Sequence, residues 1–136
     1  MPAARLMLVL SLGLAACGRA VVTSAPLPQV EVTDQRYKGL VFLVATVHKA
    51  GQDFLVTNGS TQPWFDITLV LVADGASEYT LHLDEIDAGQ SVTAQATKFV
   101  TLGGLPLNSK RVAPRTLIVS AEIGEGGPTG VYAVRL

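Results

Sequence analysis

Cysteine occurs once in the 136 residues, at Cys17. A disulfide framework needs pairs, so no intramolecular bridge staples this chain. Histidine occurs only at His48 and His82, which is thin material for a histidine-based metal centre. An excess of one charge is missing as well: 10 Lys and Arg face 11 Asp and Glu. No basic stretch suits a phosphate backbone and no acidic tail is present, so a nucleic-acid partner is not expected. Long apolar runs are absent too. The longest uncharged one, Leu6–Ala16, falls well short of the roughly twenty residues that a membrane-spanning helix needs. No window past residue 30 repeats its apolar residues at helical spacing, which excludes a helix bundle.

What is present begins at the N-terminus, MPAARLMLVLSLGLAAC. Arg5 precedes the apolar run, and the run ends in small residues. That is the pattern of an export signal over residues 1–16, which is set aside from fold reasoning. Leu14-Ala15-Ala16-Cys17 resembles the lipobox of bacterial lipoproteins, in which the cysteine is acylated and becomes the mature N-terminus. The alternative is an ordinary cleaved signal cut near Gly18-Arg19-Ala20. A single free thiol in an oxidising compartment invites stray disulfides, and acylation of Cys17 removes that hazard. The resemblance implies two or three acyl chains. At about 0.8 kcal/mol per buried methylene, with one chain only marginal, that number anchors a protein permanently. It also implies an envelope location. Gly18 in place of Asp resembles the outer-membrane class in an organism with two membranes.

Without Arg5, the 10 basic side chains become nine against 11 acidic ones, and removal of residues 1–16 leaves room for one domain with a moderate core. Residues 17–29, with GRAVVTSAPLPQ after the cysteine, carry Pro26 and Pro28 and no periodicity, and read as a lipidated tether. From residue 30 to 136 the period is two. In EYTLHLD (78–84), Tyr79, Leu81 and Leu83 alternate with polar neighbours. SVTAQAT (91–97) and TLIVSAEI (116–123) repeat the scheme. Such alternation buries one face of an antiparallel sheet. Leu40–Val47 and Ile67–Ala73 are apolar on both faces and are expected as central strands. Turn residues at Ala50-Gly51, Asp74-Gly75, Asp87-Ala88-Gly89 and Gly124–Gly130 separate the runs. The expectation is about eight strands, at 30–33, 40–48, 53–58, 66–73, 78–84, 91–97, 115–123 and 130–136. This is an all-β antiparallel sandwich, with Lys98–Pro114 crossing between sheets.

Between Asp53 and Ile123 the chain resembles the immunoglobulin-like β-sandwich domains of bacterial extracytoplasmic proteins. The matching residues are DFLVTNGSTQPWFDITLVL, IDAGQSV, Phe99, Gly103-Gly104 and PRTLIVSAEI. In that pattern a strand ends at Asn58, a loop carries Trp64, and Asp66 opens the next strand. The chain departs from antibody-type domains in having no cysteine pair. The resemblance implies a fold and a location. Such domains serve as adhesion, spacer or complex-assembly modules and share no one activity.

Few residues invite chemistry. His82 and Asp84 share one strand face, yet a metal site there needs His48 close by, and a plain solvent face explains the pair. The serines at 60, 77, 91, 109 and 120 lack a nucleophile-elbow glycine pattern, so no enzyme is expected. No cofactor motif is present. The Gly124–Gly130 stretch lacks a following Lys-Ser/Thr and reads as a hairpin loop. Asn58-Gly59-Ser60 matches a glycosylation acceptor but is also a strong turn sequence. Trp64 and Phe65 are candidate ligand-binding residues for a carbohydrate or cell-wall glycan. The reading favoured over it is that Pro63, Trp64 and Phe65 plug the end of the sandwich. The function expected is a lipid-anchored, non-enzymatic module that binds or scaffolds an envelope partner.

Overall fold

A computed structural model describes residues 24–136. The signal peptide, Cys17 and the first part of the tether lie outside the described residues. Eight strands follow in order: β1 (Val41–Phe42), β2 (Ala45–Ala50), β3 (Asp53–Asn58), β4 (Trp64–Ala73), β5 (Glu78–Ile86), β6 (Ser91–Ala94), β7 (Pro114–Ile123) and β8 (Thr129–Arg135). They form a five-stranded sheet, β1-β8-β7-β4-β5, and a three-stranded sheet, β2-β3-β6. All pairs are antiparallel except β1 with β8. The only helical elements among the described residues are three-residue 3-10 turns, and no described helix is long and apolar enough to cross a membrane. The chain is an all-β, two-sheet sandwich.

The core lies between the sheets. Val47, Phe54 and Val56 come from the small sheet; Trp64, Ile67, Leu69, Leu71, Leu117, Val119 and Val134 come from the large one. Burying a single such side chain contributes about 1.5–3 kcal/mol, and the alternation in β3, β4 and β7 directs these residues to one side. The connection from β6 to β7 crosses between sheets, as expected. It also sends Phe99 and Leu107 into the core, Phe99 packing edge-on against Phe54 at 6.1 Å between ring centres.

A second apolar cluster sits on the outer face of the large sheet. Val70, Ile118, Val131 and Ala133 are covered there by Val30, Val32, Tyr37 and Leu40. Residues 30–33, expected as a strand, therefore form a strap across that face, whose start is tied to β8 by the Gln29–Val134 bridge and the Val30 amide to the Ala133 carbonyl. Arg36 pins the strap by pairing with both Asp34 and Glu78. This second layer explains why β8 is buried on both faces and why ITLVLVA shows no clean alternation.

Leu40–Val47 does not form one central strand. It divides at Leu43–Val44 and changes sheets, β1 pairing with β8 and β2 with β3. Both pieces are edges, and Val41 (47% exposed), Phe42 (70%) and Val44 (63%) face solvent. Gly130 permits the crossing: a Cβ there would lie 2.7 Å from the Leu43 side chain. Residues 24–29, read as tether, are held against the body from Ser24 onward. The Ser24 hydroxyl donates to the Lys49 carbonyl at 3.0 Å, the Leu27 amide to Val47, and the Arg135 amide to the Pro28 carbonyl.

β4 starts two residues earlier than expected and contains a bulge. Phe65 opposes Glu122 and Thr68 opposes Ser120, so one extra residue is accommodated, with Asp66 at φ 47°. That left-handed geometry costs most L residues roughly 1–2 kcal/mol and suits Asp, Asn and Gly best. Asp66→Gly is expected to leave the unfolding free energy unchanged or slightly raised. Asp66→Val is expected to lower it by about 1–2 kcal/mol. Urea midpoints at constant slope measure both.

Candidate functional site

The end of the sandwich that carries Trp64 gathers the 59–63 connection, the 87–90 turn, the 124–128 turn and the 43–44 crossover. Asn58 organises it. Its side chain is fully buried, the one buried polar residue of the described core, and it is fully bonded. The Nδ2 donates to the Gln62 carbonyl at 2.9 Å and the Ile86 carbonyl at 3.0 Å; the Oδ1 accepts from the Ser60 amide at 2.9 Å and hydroxyl at 2.7 Å. Its backbone meets Gln90 and Gly89. A buried amide with all its valences filled fixes the loops it touches, and its Nδ2 is not presented to solvent. The turn reading of Asn58-Gly59-Ser60 fits this geometry.

Trp64 is 0% exposed and belongs to the core, as the plug reading of this residue has it; the other reading, a ring free to stack on a sugar, is corrected. The reason is the β4 bulge. Counting back from the outward-facing Thr68 by strict alternation puts Trp64 outside; the extra residue at Asp66 turns it in and Phe65 out. Phe65 is half-buried, between Glu85 and Glu122 in register. The Trp64 indole N–H has no hydrogen-bond partner, a cost of about 1–3 kcal/mol that the ring's apolar burial outweighs.

His82 and Asp84 leave the outer face of the large sheet, and the His82 Nδ1 lies 3.2 Å from the Thr68 hydroxyl. His48 stands on β2 of the other sheet. Its Nδ1 donates to the Ser24 carbonyl at 2.9 Å, since a carbonyl only accepts. The two histidines are on opposite sheets and do not converge. Among the described residues no three His, Cys, Asp or Glu side chains group to hold a metal ion. Three of the serines have structural partners: Ser60 with Asn58, Ser91 with Thr57, Ser109 with Gln52.

Charge is distributed by end, which composition did not reveal. Asp66, Asp84, Glu85, Asp87, Glu122 and Glu125 all lie at or near the Trp64 end, with no Lys or Arg between positions 50 and 97 or 116 and 134. The Glu85 carboxyl is held above its usual range, first by its hydrogen bond to Asp87, with exposed Glu125 adding repulsion. At the opposite end Arg115 pairs with Asp74 at 2.7 Å.

Comparison with known proteins finds no matching family model, no matching curated protein and no matching solved structure. The fold itself defines the class: a two-sheet β-sandwich whose large sheet carries a strap.

Asn58→Ala is expected to cost about 2–3 kcal/mol, because it strands the buried Ile86 carbonyl and removes the part-buried bonds to the Gln62 carbonyl and the Ser60 amide. Trp64→Ala is expected to cost about 3–5 kcal/mol, and Trp64→Phe clearly less, since Phe leaves no unpaired donor; chemical denaturation ranks the three. Glu85 is expected to titrate above the ordinary value of about 4.3 in carbon-detected NMR and to fall back in Asp87→Asn. With the folded-state value raised, its contribution to stability is present below the unfolded-state value and is lost as pH rises through the folded one.

Proposed function

We propose that this chain is a lipid-anchored envelope protein whose immunoglobulin-like sandwich works by contact with a protein partner rather than by chemistry. Cys17, within Leu14-Ala15-Ala16-Cys17, is the acylated residue in this reading, and Gly18 directs the protein to the outer membrane where two membranes exist. The connectivity supports the immunoglobulin-like assignment: β3 to β4 and β6 to β7 both cross between sheets, around a core with no cysteine pair.

The observation that carries the contact role is the apolar patch Val41, Phe42 and Val44 at the sheet-switching crossover. Three large apolar side chains within four residues, on an edge over which no described residue packs, resemble the aromatic-centred anchors of protein interfaces. The glycan reading rested on an accessible Trp64 ring, and its burial removes that support.

Mass spectrometry of the mature N-terminus is expected to find Cys17 carrying acyl chains; an unmodified thiol there would sink the anchor. A photo-crosslinking residue at position 42 is expected to capture a discrete envelope protein in intact cells. Phe42→Asp, at a position exposed enough to keep the fold, is expected to abolish co-purification of that protein. Unchanged co-purification would refute the patch as the contact surface.

A further inference from the structure

The end of the sandwich opposite Trp64 carries two further exposed apolar side chains, Leu102 and Leu105. Residues 100–106 form a small hairpin on the free edge of β5: Val100 exchanges both backbone bonds with Thr80, and Pro106 bridges Val100 from the other side. The Thr80–Val100 pairing is antiparallel, so residues 101 and 102 run back past Tyr79 and Glu78, toward the start of β5. The hairpin tip therefore projects from the end where β5 begins. Leu102 (104% exposed) and Leu105 (68%) sit on that tip, and neither touches the core. A loop held by backbone bonds at its base while presenting two leucines to solvent is built to put them against something.

Three observations identify the occupant. The exposed cations Lys98, Lys110 and Arg111 belong to the same β6–β7 connection as the leucines, and Ser109 bonds Gln52 at this end of the small sheet. The carboxylates at this end are engaged: Glu78, which lines the cleft beside Leu102, pairs with Arg36, Asp74 pairs with Arg115, and Asp53 accepts from the Ala96 amide at 2.9 Å. The far end bears the six carboxylates described above, so the body is electrically polar along its length. Finally, the described chain begins at this same end: the Ser24 hydroxyl donates to the Lys49 carbonyl, and the Ser24 carbonyl accepts from the His48 ring. Six residues lie between Cys17 and Ser24, and the seven Cα steps span at most about 25 Å. The ten residues of β4 extend about 33 Å, so the tether reaches less far than the body is long.

We propose that the sandwich docks end-on to an anionic lipid surface, with Leu102 and Leu105 entering the headgroup layer and Lys98, Lys110 and Arg111 facing lipid phosphates. The proposal rests on Cys17 being the anchor, which confines this end to the bilayer and turns weak docking into an intramolecular step. Each leucine that leaves water favours the docked state roughly ten- to hundred-fold. Each cation near an anionic surface adds about fivefold. Repulsion of the acidic end from the same surface sets the orientation. The consequence for function is geometric: the body stands upright, and the Trp64 end, with the neighbouring Phe42 patch, points away from the membrane toward a partner.

The test uses the full acylated chain in vesicles, with an environment-sensitive dye on Leu102→Cys or, as a control, on Glu125→Cys. Acylation consumes the Cys17 sulfur, so the added thiol is the one labelled. On phosphatidylglycerol-containing vesicles the dye at 102 is expected to shift to the blue and be quenched by brominated lipid, and the dye at 125 to stay in water. Replacing Lys98, Lys110 and Arg111 by Gln is expected to lower the docking equilibrium about 100-fold and return the dye at 102 to water. A chain that floats with the vesicles while its dye at 102 remains in water overturns the docking and leaves the anchor standing. A chain that does not float overturns both. Burial of the dye at 102 that grows with protein concentration and needs no lipid assigns the tip to a second copy and overturns the proposal.

Discussion

One buried amide holds the two sheets in register at their shared end. Asn58 closes β3, and its side chain spans from the 59–63 connection to the last carbonyl of β5 while its backbone receives the 87–90 turn. Apolar packing between sheets is non-directional and tolerates sliding. A hydrogen-bonded amide in a low-dielectric setting does not, because any displacement strands several polar atoms at once. The inward Trp64, the crossover at Leu43–Val44 and the approach of β1 to β8 over Gly130 all depend on that alignment.

The second constraint is that the five-stranded sheet must be covered on both faces. Its inner face meets the small sheet, and its outer face carries Val70, Ile118, Val131 and Ala133. The strap of residues 30–40 covers these, and the Arg36 pairs with Asp34 and Glu78 fix where the strap lies. Those pairs are exposed, so each contributes little to stability by itself; their role is positional. The arrangement brings residues 24–29, the strap and the edge of β8 onto one side of the molecule and leaves the crossover patch uncovered by any described residue.

Function in this reading comes from polarity along the long axis rather than from a cleft. The chain is close to neutral in total, which hides a division between an acidic end and an end where most of the cations, the leucine-tipped hairpin and the start of the described chain come together. A body of this kind is suited to being oriented by a charged surface and to presenting its other end to a protein.

The alternation in β5, β6 and β7, the turn residues between the strands and the position of the long connection were legible in the amino-acid sequence, because a half-buried strand writes its burial directly as a period of two. Ile67–Ala73 was legible as a central strand for the same reason: apolar residues on both faces mean cover on both faces. Leu40–Val47 shows the same composition for a different cause, since its residues serve two sheets in turn and three of them are left in solvent; local pattern does not separate these cases. The inward turn of Trp64 was decided by a bulge at Asp66, whose extra residue resets the alternation only when β4 pairs with β7. The segregation of charge was decided by topology, which brings Lys49, Lys98, Lys110, Arg115 and Arg135 to one end from distant points in the chain. By itself, then, the sequence determined an all-β body and the identity of most core residues, because burial is periodic and local. The tertiary structure decided which edges stay open and which charges become neighbours, because both depend on pairings between residues far apart in the chain.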